Sequence, residues 1–238
     1  MSLLKRQVFE IPMDDLAPVE ENFMKQTRLD LSDLPETMED CILDAKEICL
    51  TKTKPMGVYY SLPIEKLLDE EAVLSDGYSI KGGIVPLILS TSHEVIFYAA
   101  TLKDFDEAEL QCEDAMDQYF LDAWGTAFVE QAAKWLHEKL SEELEGLLEG
   151  QEFYLTNFWS PGQHNFPIEN QKTVFDLLKP EEIGMSLTPS FMMNPTKSIS
   201  SVIGIMKEKD ERNLFACDFC PRRDTCLSAY GGACTGEE

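Results

Sequence analysis

The chain has 238 residues, 44% of them hydrophobic, and sets 44 Asp and Glu against 20 Lys and Arg, a formal charge of −24. That hydrophobic share suffices to bury the core of one large domain or two small ones. The charge repels phosphate backbones and anionic lipid surfaces, which excludes nucleic acid as a partner class. No run approaches the roughly 20 apolar residues that span a bilayer, and the opening MSLLKRQVFEIPMDD lacks a signal-peptide core. A cytoplasmic protein with no membrane partner is expected.

The first periodic segment is 33–52, where Met38, Cys41, Ile42, Ala45, Ile48 and Cys49 recur at spacings of three and four, predicting an amphipathic helix. Residues 79–102 are rich in β-branched and apolar side chains broken by turn signals, and predict paired strands, one of them central to a sheet. Residues 106–148 carry the longest helical pattern; Gly125 interrupts it, so two helices or one broken helix are expected. After the loop FWSPGQHNFP, Val174, Phe175, Leu177 and Leu178 predict a short helix that stops before Pro180. SISSVIGIM, at 198–206, reads as another strand. This order predicts an α+β fold with a twisted, mainly antiparallel sheet and flanking helices.

Seven cysteines make an odd number, and Cys41, Cys49 and Cys112 stand alone inside helix-like sequence, where a thiol serves as a small buried hydrophobe. That usage fits a reducing compartment. The other four, Cys217, Cys220, Cys226 and Cys234, have the spacing C-x2-C-x5-C-x7-C and divide the chain into a domain at 1–214 and a cysteine-rich, metal-binding tail at 215–238. Two thiolates separated by two residues can turn onto one ion or one cluster corner. Gly231 and Gly232 permit the remaining fold-back, while Arg222 and Arg223 offset thiolate charge. An iron–sulfur cluster and zinc both fit this pattern. No Walker motif, G-x-G-x-x-G fingerprint, HExxH motif or nucleophile elbow is present, so nucleotide binding and hydrolysis by those routes have no support.

The most specific residues lie at 157–205: Pro161-Gly162, Pro167, Gly184, Leu187-Thr188, Ser190-Phe191, Met193, Pro195, Ser198 and Ser200. Their order resembles the activation domain of cobalamin-dependent methionine synthase, and the segment with Glu130 and Leu136-His137-Glu138 is similar to that family's long helix. The resemblance implies a free-standing accessory protein that reductively reactivates a corrinoid-dependent methyltransferase. The partner would carry the cobalamin, and S-adenosylmethionine would be the methyl donor. The site so implied comprises Glu130, Phe158, Trp159, Pro161, Gly162, Gln163 and His164, with Phe158 and Trp159 able to stack on a planar ligand. The family's loop reads R-P-A-P-G-Y; Phe158 and Gln163 stand here for its arginine and tyrosine, and a phenyl ring supplies no carboxylate-binding fork. A low-potential cluster on the tail thiols would suit delivery of one electron to cobalt. The competing reading is a non-catalytic docking module for the corrinoid protein with a zinc-stabilised tail.

Overall fold

The computed structural model describes residues 2–16, 18–112, 114–212 and 214–225. In chain order its elements are β1 (Gln7–Glu10), α1 (Val19–Thr27), α2 (Glu36–Lys52), β2 (Lys54–Leu68), β3 (Glu71–Leu74), β4 (Ser79–Lys81), α3 (Val85–Ile88), β5 (Ser92–Lys103), α4 (Phe105–Glu109), α5 (Ala115–Leu148), β6 (Tyr154–Leu155), α6 (Gln171–Leu178), β7 (Ser186–Leu187), β8 (Met193–Asn194) and β9 (Ser198–Met206). The main sheet runs β4-β3-β2-β5-β9-β6, with β1 added to β2, and every pairing in it is antiparallel. The expected α+β architecture is present.

Strand alternation divides the interior in two. Ile96, Tyr98, Ala100 and Leu102 of β5 and Ile203 and Ile205 of β9 face α1, α2 and α5. Val95, Phe97 and Ala99 of β5 and Val202 of β9 face α3, α6 and the loop after β6. On the first face Trp124 stacks on Phe23 at 3.9 Å and donates its indole N–H to the Ile42 carbonyl at 2.9 Å. Cys49 lies wholly inside this core and burial pushes its thiol up to about 12, while Cys41 and Cys112 are raised first by burial and then by Asp117. These three thiols stay protonated and pack.

Two sequence expectations need correction. α5 runs unbroken through Gly125; a Cβ there would come 2.3 Å from the Phe105 ring, so the glycine admits a close neighbour and does not end a helix. The break falls before Asp114, whose carboxylate accepts from the amides of Met116 and Asp117 at 2.8 and 2.9 Å and caps α5. The 79–102 segment contains the helical turn α3 between its two strands. Met192 is 57% exposed, whereas Met193 packs against the α6-side core.

Candidate functional site

The loop after β6 begins as an added edge of the sheet. Trp159 donates its amide to the Val202 carbonyl at 3.0 Å and accepts from the Val202 amide at 2.8 Å. Side chains alternate there as in a strand. The Trp159 ring, 1% exposed, enters the α6-side core. Ser160 turns to the α5 side, where its hydroxyl lies 2.9 Å from that of Ser201. By the same alternation Phe158, 46% exposed, lies on the α5 side with Ser160.

The rest of the loop closes on itself. The Gly162 amide donates to the Phe166 carbonyl at 2.8 Å, with Gly162 at φ 98°. The Gln163 side-chain oxygen accepts from the Ser160 amide at 3.1 Å, and its carbonyl accepts from Phe166 at 2.8 Å. The carboxamide that replaces the family's tyrosine therefore closes the turn. Pro161 is buried beneath it, and His164 is half-buried at φ 20°. Sequence reasoning missed what backs this loop. Gly82, at φ 144°, would push a Cβ to 2.4 Å from the Asn165 carbonyl oxygen. Asn170 clamps the same strand end, accepting from the Lys81 amide and donating to its carbonyl, both at 2.8 Å. The Lys81-Gly82-Gly83 run was the available signal: paired glycines mark a close backbone approach as readily as a phosphate loop.

Glu130 is exposed on α5. Its carboxylate accepts from Asn22 at 3.1 Å and Gln26 at 3.5 Å. Although the residue is exposed, neighbouring α1 partly desolvates its carboxylate and raises its pKa, opposed by Lys25, the Gln26 hydrogen bond and Lys197. Lys197, also missed, is held 2.6 Å from Asp122 and 2.8 Å from the Thr126 hydroxyl, over the Phe105 ring. Glu130, Ser160 and Phe158 thus belong to one side of the sheet, but among the described residues no hydrogen bond or ion pair joins Glu130 to the loop. Trp159 lies apart from them on the opposite side, with Phe219 against its ring, so it is a core residue and no open stacking platform. The family-like serines are anchors: Ser198 lies 2.7 Å from the Thr101 hydroxyl, and Ser200 donates to buried Gln171 at 2.9 Å.

Cys217 lies within the single helical turn Ala216–Phe219 and Cys220 caps it, its amide donating to the Cys217 carbonyl at 3.1 Å. That is the tight turn a C-x2-C pair needs to share one ligand. Cys226 and Cys234 lie outside the described residues. Among the described residues no group of three or more His, Cys, Asp or Glu is placed to hold a metal ion, and no helix is long and apolar enough to cross a membrane.

No curated protein matches the chain. Among solved structures the fold is similar to the crystal structure of the MetH reactivation domain bound to AdoHcy, with a TM-score of 0.65 and 18% identity over 87% of this chain and 80% of that one. The family model for the vitamin B12 dependent methionine synthase activation domain matches residues 90–224, which include β5, α5, the loop, α6, β9 and the first two tail cysteines. With more than half of its length matched, the chain belongs to the vitamin B12 dependent methionine synthase activation domain family.

Proposed function

We propose that the chain reactivates a corrinoid-dependent methyltransferase of the methionine synthase type, docking over the cobalamin that the partner carries. The observation that carries this reading is an uncharged face. Residues 153–167, the loop and the short strand before it, contain no Asp, Glu, Lys or Arg in a chain of formal charge −24, and the strand behind them, 198–206, is uncharged and buried from Ser200 onward. A partner approaching here meets no formal charge from the loop itself. Phe158 supplies an exposed aromatic edge to that face.

The similar reactivation domain holds AdoHcy, the product left when S-adenosylmethionine gives up its methyl group, which supports S-adenosylmethionine as donor here. Phe158, Pro161, Gly162, Gln163 and His164 would then shape the loop, and Glu130 would meet an ammonium or ribose group. Cys217, Cys220, Cys226 and Cys234, in a tail at 215–238 after a domain at 1–214, would hold an iron–sulfur cluster. That cluster would supply one electron to cob(II)alamin, after which the donor's methyl group traps the reduced cobalt. The Cys217–Cys220 turn fits one corner of such a site.

A second reading has its own support. Glu130 is engaged by Asn22 and Gln26, Gln163 is turned into the loop, and Phe158 offers no donor, all as expected of a docking module that has given up the small ligand and keeps a zinc-stabilised tail. Metal and sulfide analysis with a visible spectrum, on protein purified without oxygen, separates the two. About four irons with sulfide and broad thiolate-to-iron absorption, followed by return of activity in an oxidised corrinoid methyltransferase, support reactivation. Stoichiometric zinc, no colour and no change in cobalt oxidation state select the docking module.

A further inference from the structure

The tail turn is locked by its own short-range bonds. The Phe215 amide donates to Asp218 at 2.8 Å, the Asp218 amide to the Phe215 carbonyl at 3.0 Å, and the Arg223 amide to the Cys220 carbonyl at 3.0 Å. Arg223 and Asp218 form an ion pair at 2.7 Å. A segment so cross-linked moves as one piece. It is attached to the loop: the Asn157 carboxamide donates to the Leu214 carbonyl at 2.8 Å, and the Phe219 ring lies 5.8 Å from the Trp159 ring at 60°.

A partly open pocket lined by Ile88, Leu155, Trp159, Met206 and Leu214 adjoins the junction, and the Trp159 ring itself is 1% exposed. Phe219 stands between the two thiols in sequence, and Trp159 is fixed to β9 by both of its backbone groups. A ring enclosed by the core, as Trp159 is, passes on small displacements without absorbing them. We infer that Phe219 is a positioning residue that seats the Cys217–Cys220 turn on the loop through Trp159, so that occupation of the two thiols and the placement of the loop are coupled. Such coupling is reciprocal: a ligand that shifts the loop alters thiol affinity by the same factor.

The inference rests on the metal-binding reading only for the identity of the thiol ligand, and the test separates the two. Full-length protein labelled with 5-fluorotryptophan gives a fluorine line for Trp159, assigned with Trp159→Phe. Zn²⁺ should shift that line and spare those of Trp124 and Trp135. Phe219→Ala should bind Zn²⁺ about two- to tenfold more weakly, the worth of one aromatic pair, and lose the shift; Phe219→Tyr should restore both. If Zn²⁺ does not bind, p-hydroxymercuribenzoate, which needs only one thiol, should still move the Trp159 line, and Cys217→Ser with Cys220→Ser should abolish the movement. That outcome removes the metal reading and keeps the coupling. A Trp159 line unmoved by either probe, or moved equally in Phe219→Ala, overturns the coupling.

Discussion

The two faces of the sheet are built by different means. On the α5 side a 34-residue helix lies along the strands and a continuous apolar stripe fills the space, with the Phe23 and Trp124 rings stacked at 3.9 Å. On the other side the loop sinks Trp159 and Phe166 into the α6-side core, and its course is then set by single contacts: Gly82 against the Asn165 carbonyl, Asn170 around Lys81, Ser200 on Gln171. A stripe shares its energy over many van der Waals contacts. A loop depends on a few directional ones, so single changes should separate the two faces.

The largest effect is expected from Trp124→Ala, which empties the centre of the helix face. About 3–5 kcal/mol of stability should be lost, measured by urea unfolding, while the loop keeps its hydrogen-exchange protection. Loss of loop protection in the still-folded variant would show that the faces are not independent. Gly82→Ala comes next: a non-glycine residue at φ 144° pays about 1–3 kcal/mol in strain, and the new Cβ meets the Asn165 oxygen at 2.4 Å. Its exchange should rise in 160–167 and leave α5 unchanged. Asn170→Ala strands both backbone groups of Lys81 and should cost about 1–3 kcal/mol, again localised to the loop face.

The smallest effect is pH dependence on the helix side. Burial holds His137 below its ordinary pKa of 6.5. The unfolded chain therefore takes the proton first, so this contribution is complete above about pH 6.5 and is lost as pH falls towards the folded value. His137→Gln should flatten that part of the stability profile between pH 7 and pH 5. An unchanged profile would assign the slope to His93, which burial and Lys207 also lower.

Legibility followed the same division. α2, α6, β5 and β9 were readable because each buries a repeating stripe, and repetition is visible in one dimension. β2 was not: Pro55, Gly57 and Pro63 punctuate it as a turn would be punctuated, yet it is the longest strand among the described residues and pairs with β1, β3 and β5. Gly57 is there because a Cβ would come 3.0 Å from Leu136 of α5, a contact between residues 79 apart in sequence. The family-like segment singled out this loop, since its motif order survives at low identity. It could not show that Trp159 faces inward, that Gln163 closes the turn, or that Asn22 and Gln26 reach Glu130.

The sequence by itself determined the fold class, the family, the absence of charge from the loop and the C-x2-C spacing, because these depend on composition and local order. Only the tertiary structure decided which side of the sheet each loop residue serves and that Phe219 lies against Trp159. Strand alternation and ring contacts are set by pairing with β9, a partner some forty residues away, and no local pattern records which neighbour a segment will meet.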